Sequence, residues 1–200
     1  MSLYNFLTCY QFQQGMQTIL PNVFHWQVRR MPLAQRIAAV QDYQCFLLLK
    51  KQSKAMNLHT TDAEILSWLD NIVLVHRLLS LLDTTDLIDL SLGLEVKILP
   101  SAKRIDILLY RGHQMMIVET CYNLDALNNT LQEDNERQIQ DYVKILQLHH
   151  LHYLSIQTAI INFLPEADAS GKVLYHDQQA INNQSLQHLA SRIHSFFFEK

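Results

Sequence analysis

The sequence predicts an α/β protein: a mixed central sheet that opens on an antiparallel hairpin, flanked by helices, with a helical segment at the N-terminus. Three observations predict it. Hydrophobic residues make up 48% of the 200-residue chain, enough to bury a sizeable core. Only 4 Gly and 4 Pro occur, which disfavours a turn-rich all-β fold and favours long helices with a modest sheet. The apolar period also switches, from helical before residue 90 to alternating beyond it, and back to helical near residue 131.

In chain order, residues 1–31 carry no clear period; Pro21 and Pro32 bracket the aromatic pair Phe24 and Trp26. Residues 33–56 read as a helix, with Leu33, Ile37, Val40, Phe46 and Leu47 near helical spacing. Here and just upstream lie Arg29, Arg30, Arg36, Lys50, Lys51 and Lys54, read as a solvated helix face or as a phosphate-contacting flank. Residues 62–82 read as an amphipathic helix opened by a Thr61/Glu64 capping box, with Ile65, Leu69, Ile72, Val75, Leu78 and Leu79 on its apolar face. Thr84 to Asp89 breaks that pattern.

Leu92–Leu99, Ala102–Tyr110 and Gln114–Tyr122 read as three successive strands, the last two joined by a two-residue turn at Gly112-His113. Residues 131–149 read as a helix with a second capping box, Thr130/Glu133. Tyr153–Leu164 is an apolar, β-branched run typical of a buried strand. A loop at 165–171, a short strand at Lys172–His176 and an amphipathic helix at 184–198 complete the chain. The expected division is a helical extension over 1–58 and an α/β domain over 59–200.

Formal net charge is -3, so a strongly basic, sequence-blind nucleic-acid coat is not indicated. Three cysteines, Cys9, Cys45 and Cys121, form no CxxC pair, which suits free thiols in a reducing compartment. The N-terminus lacks the basic and long apolar regions of a signal peptide, and no run of about 18 apolar residues exists to span a membrane. A cytoplasmic protein without membrane association is expected.

The hairpin carries the candidate chemistry. With Gly112 and His113 as the turn, Asp106 falls opposite Glu119, and strand alternation sets Cys121 on the same face. Opposed residues place their Cβ atoms about 4.5–5.5 Å apart. Ile105, Ile107, Leu109, Met116 and Val118 fall on the other face, as core. Two carboxylates so close are costly to bury without compensation. A divalent cation of the Mg²⁺ or Mn²⁺ type, a solvated sheet edge, or pairing with Arg104 or Lys103 would each supply it.

Lys103-Arg104-Ile105-Asp106-Ile107-Leu108-Leu109 followed by Ile117-Val118-Glu119-Thr120-Cys121 resembles the signature of the PD-(D/E)XK nuclease superfamily. There an Asp on one strand and a Glu-x-Lys on the next form the site. Gln138-Ile139-Gln140-Asp141-Tyr142 resembles the Gln-x-x-x-Tyr motif of the RecB-like branch. Glu64-Ile65-Leu66-Ser67-Trp68 resembles the acid-bearing first helix of nuclease domains attached to some helicases. The resemblance spans roughly residues 60–165. It implies a restriction-endonuclease-like core and Mg²⁺- or Mn²⁺-dependent hydrolysis of DNA.

By the same resemblance, Asp106 and Glu119 would hold the metal with the Thr120 carbonyl, and Glu64 would be a third acid, though the capping box already explains it. Gln138 and Tyr142, one helical turn apart, would lean over the site and touch DNA or a site water, with ordinary helix packing as the alternative and Arg104 as a further nucleic-acid contact. Glu95 is a spare acid on the first strand. The departure is Cys121, where the family has lysine; a thiol beside carboxylates stays protonated and cannot replace an ammonium. Lys97 is the better candidate for a migrated lysine, because Lys103 faces away from Asp106 by alternation.

Two other classes compete with the nuclease: a catalytically inactive module of the same fold that binds DNA or protein, and a structural interaction protein, a homodimer among the possibilities. His149, His150 and His152 read as ordinary residues near a helix end rather than zinc ligands. Phe196, Phe197 and Phe198 read as core or an oligomer contact.

Overall fold

A computed structural model of the chain describes residues 4–22, 24, 31–98, 104–121, 129–148, 155–164, 172–174, 180–181 and 183–199. The α/β class and the mixed sheet are observed. Lys103, Arg29, Arg30, the three His near 150, the loop at 165–171 and the side chains of Cys121, Thr130 and Glu133 lie outside the described residues.

The N-terminal segment forms strand β1 (Tyr4–Thr8) and helix α1 (Cys9–Ile19). Thr8 and Gln11 make a reciprocal capping box at the start of α1, a signal present in the sequence that the search for apolar period passed over. The helix expected over 33–56 is two helices, α2 (Leu33–Val40) and α3 (Gln44–Ala55), because Tyr43 takes an extended conformation with ψ 138°. Helix α4 (Asp62–Leu79) begins at the expected capping box, with both the Thr61 and the Glu64 hydrogen bonds in place. Thr84 to Asp89, expected only to break the pattern, is the short helix α5.

Strands β2 (Ser91–Lys97), β3 (Arg104–Arg111) and β4 (Gln114–Cys121) follow, then helix α6 (Asn129–Leu148) and strand β5 (Ser155–Leu164). Short strands β6 (Lys172–Leu174) and β7 (Ala180–Ile181) precede helix α7 (Asn183–Phe198). Among the described residues these strands form one seven-stranded sheet in sequence order. Every neighbour pair is antiparallel except β4 and β5, which run parallel across the α6 crossover. Gly112 has φ +56°, as the first residue of the two-residue turn requires, and Arg111 pairs with Gln114 on either side of it.

The large core lies on one sheet face, where α1, α3, α4 and α7 pack against Leu92, Leu94, Ile107, Leu109, Met116 and Val118. On the other face α6 brings Tyr142 onto Ile98, Ile105, Leu108 and Ile117. Cys9, Phe12, Val40, Cys45, Phe46 and Leu49 belong to the same core as Leu189 and Ile193. The first 58 residues are thus not a separate helical extension: they supply an edge strand and part of the main core. The triple Phe is split likewise, with Phe197 buried in that core and its two neighbours packed at the margin.

Arg36, expected on a solvated face, is buried and pairs with Asp70 at 2.6 Å, tying α2 to α4. Of the other basic residues, Lys50 reaches Asp62 at 2.7 Å in a half-exposed pair of small energetic worth. Arg36→Ala leaves the buried Asp70 without its guanidinium. Urea unfolding is expected to show a loss of about 3–5 kcal/mol, most of it recovered when both are replaced by apolar residues of similar volume. A loss below about 1 kcal/mol would mean that the pair is not desolvated as described.

Candidate active site

The acids meet where the sheet is interrupted. Strands β2 and β3 pair Leu94 with Ile107 and Val96 with Ile105, but Glu95, between them, has φ 52°. Positive φ in a non-glycine residue within a strand costs of order 1–3 kcal/mol and tends to mark functional sites. On the other side of β3, the pairing with β4 has the predicted register from Arg111↔Gln114 to Ile107↔Val118. Beyond it each carboxylate takes a backbone N–H of the opposite strand. Asp106 N–H donates to Glu119 Oε1 at 3.2 Å, and Thr120 N–H donates to Asp106 Oδ2 at 2.9 Å. The same irregularity moves Ile105 out of the main core, where alternation had set it, into the cluster under α6.

Two networks hold the acids. From α6, Gln138 Nε2 donates to Glu119 Oε2 at 2.9 Å and to the Tyr142 hydroxyl at 2.7 Å. The Tyr142 hydroxyl in turn donates to the Arg104 carbonyl at 2.7 Å. Gln138 and Tyr142 therefore fasten Glu119 to the backbone of β3. Tyr142 is 0% exposed, so the expectation that it contacts nucleic acid is corrected: its work is internal.

From α4, the side chains of Asn71 and Trp68 act on Glu95 and favour its charged form. The Thr120 hydroxyl lies 2.8 Å from Asn71 Oδ1 and 2.6 Å from Asp106 Oδ2. Arg104 Nε stands 3.6 Å from Glu95 Oε2, with its guanidinium over the Trp68 ring, 5.8 Å from the centroid.

The single Thr120 hydroxyl hydrogen faces two oxygens, Asn71 Oδ1 and Asp106 Oδ2, and serves one of them at a time.

Burial, and then the charge of Asp106, raise Glu95 to about 7. Burial raises Asp106 as well, against the opposing Thr120 hydrogen bonds and Arg104. Glu119 is pushed up by burial and then by Asp106. Glu95 and Glu119 are 7% and 3% exposed, so water gives neither charge much relief.

The other expected site residues fall elsewhere. Glu64 is exposed, with its carboxylate hydrogen-bonded to the Thr61 backbone N–H at 2.8 Å. Lys97 is exposed near the end of β2, in register with Arg104. The cation beside the acids is Arg104. Sequence reading named Trp68 only as part of the Glu64 segment, with no role of its own, and passed over Asn71. The available signal was their spacing, four and seven residues after Glu64 on one face, and a polar Asp70-Asn71 step within an apolar helix.

The donor set is two carboxylates on adjacent strands with a third acid nearby, all hard oxygen. Among the described residues, no group of three or more His, Cys, Asp or Glu side chains is arranged to hold a metal ion. Oxygen donors of this kind are those Mg²⁺ takes, usually one or two carboxylates with water or phosphate at its other positions. No helix among the described residues is long and apolar enough to cross a membrane. Comparison with known proteins finds no matching family model, no matching curated protein and no matching solved structure.

A buried acid with a raised pKa makes the folded state bind more protons than the unfolded one. Its contribution to stability is full at low pH and is lost as pH rises. For Glu95 the loss runs from 4.5, its ordinary value, to about 7, and Asp106 and Glu119 act with the same sign. Melting temperature should therefore fall across that interval, and less steeply in Glu95→Gln. An unchanged slope in the variant would show that Glu95 is solvated.

Proposed function

We propose that this protein is a metal-dependent phosphodiesterase acting on DNA, built on a restriction-endonuclease-like core of the PD-(D/E)XK type. The observation that carries the reading is the meeting of half-buried Asp106 with the buried Glu119 and Glu95, with Arg104 as the neighbouring cation among the described residues. Such a cluster calls for a cation or for protons. The order of elements supports it: a helix, three antiparallel strands, a crossover helix and a parallel strand, with the acids on adjacent strands and Gln138 and Tyr142 on the crossover.

In this reading Asp106 and Glu119 bind a Mg²⁺ or Mn²⁺ ion. When bound, such an ion lowers the pKa of water and polarises a phosphoryl oxygen. Gln138 orients Glu119 through Oε2, and Tyr142 fixes Gln138 against the strand that carries Asp106. Thr120 orients Asp106 through its backbone N–H and its hydroxyl. With α4 packed on one sheet face and α6 on the other, Glu95 and Glu119 are buried and Asp106 is half-buried.

A second reading is a catalytically inactive protein of the same fold that binds DNA or another protein. Cys121 at the lysine position favours it, as does the internal hydrogen bonding of both Asp106 and Glu119. Titration calorimetry with Mn²⁺ separates the two, because only the enzyme requires saturable binding that Asp106→Asn abolishes. Incubation of single-stranded and duplex DNA with Mg²⁺ or Mn²⁺ should give cleavage by the wild type and none by Asp106→Ala. If the wild type cuts neither substrate with either ion, the enzyme reading is wrong.

A further inference from the structure

Arg104 differs from its neighbours in how it is held. Its backbone is pinned, because its carbonyl accepts the Tyr142 hydroxyl and the next residue, Ile105, is fully buried. Its head is loose. The ion pair it makes among the described residues, to Glu95, is 3.6 Å long, beyond good hydrogen-bond distance, and its side chain is 35% exposed. A guanidinium carries five N–H donors in a planar fork suited to two oxygens of one phosphate. Trp68 supports the fork from one side.

Glu95 is held in the opposite sense. Its backbone sits at φ 52°, and Asn71 and Trp68, besides Arg104, favour its charged form. If Arg104 turns to another anion, those two side chains still act on Glu95. The exchange replaces one long contact with a bidentate one, the geometry in which guanidinium binds phosphate most strongly.

We propose that Arg104 is the phosphate-binding residue of this site, and that Glu95 is a positioning residue holding its guanidinium beside the acids until a phosphodiester oxygen displaces the carboxylate. The proposal rests on the reading of the cluster as a phosphodiester site, and it supplies the positive charge that Cys121 cannot. It also accounts for the strained conformation of Glu95. A left-handed residue in mid-strand carries its carboxylate out of the ladder, to where Asn71, Trp68 and Arg104 meet.

The test is fluorescence anisotropy with short labelled single-stranded and duplex DNA, at several salt concentrations, with and without Mn²⁺. Arg104→Ala should weaken binding at least about tenfold and lower the salt slope by about 1. Arg104→Lys should keep the salt slope but lose affinity, because an ammonium lacks the fork. Glu95→Gln should tighten binding, and the gain should vanish in the Arg104→Ala background. A gain that persists there would be simple relief of charge repulsion and would overturn the role of Glu95. Arg104→Gln, which retains a polar side chain, repeats the test if the alanine variant melts early.

Wild-type affinity in Arg104→Ala and Arg104→Gln overturns the proposal, as does absence of DNA binding by both the wild type and Glu95→Gln. Inorganic phosphate as competitor separates a site for free phosphate, which it would empty at low concentration, from one for the nucleic-acid backbone, which the proposal requires. Failure of the wild type to bind Mn²⁺ sinks the metal-dependent enzyme and leaves the coupling of Arg104 and Glu95 as measured, so the two failures are told apart.

Discussion

The crowding of three carboxylates, two buried and one half-buried, beside one arginine is the constraint on which the rest of the site depends. A charge removed from water costs several kcal/mol unless it is paired or hydrogen-bonded. Glu95, Asp106 and Glu119 place three such groups within mutual electrostatic reach, and burial heads the causes that raise each of them. The protein meets this cost with backbone N–H groups drawn out of the sheet ladder and with side-chain amides from two helices. Arg104 compensates in part, and at a distance. Charge of this kind is what a hard divalent cation neutralises.

The scaffold supplies the donors from both sheet faces at once. Helix α4 contributes Asn71 and Trp68 from the side of the main core. Helix α6 contributes Gln138 and Tyr142 from the other side. The acids lie in the plane between, where β2, β3 and β4 lose regular pairing at Glu95, Asp106 and Glu119. A regular sheet would have spent the Asp106 and Thr120 N–H groups on backbone carbonyls. The interruption frees them for carboxylates, as ladder defects near active sites commonly do. The buried Arg36–Asp70 pair fixes α4 one residue before Asn71, so the packing of the N-terminal helices bears directly on the site.

Much of this was legible because it is local. The hairpin register follows from Gly112 and the two-residue turn, and that register brings Asp106 and Glu119 together. Apolar period together with a capping signal located α4 and α6, and period alone located α7. The spacing of Gln138 and Tyr142 placed them on one face of α6. Where the reading failed, a long-range contact had overruled a local preference. Arg36 reads as a surface cation because nothing nearby in sequence neutralises it; Asp70, 34 residues away, does. The opening segment reads as patternless because β1 is an edge strand whose partner, β2, lies more than 80 residues on.

The sequence by itself determined the α/β class, the hairpin, the order of the principal elements and the adjacency of the two main acids, since all four rest on residues close along the chain. Only the tertiary structure decided which third acid joins them and which cation stands beside them. Glu64 and Glu95 are equally acidic on paper. The first is exposed and hydrogen-bonded to its own helix cap, and the second is turned by a left-handed backbone toward Asn71, Trp68 and Arg104. Residue types and spacing are one-dimensional quantities, whereas burial and mutual charge depend on which elements close over a site, and those are set by packing across the whole sheet.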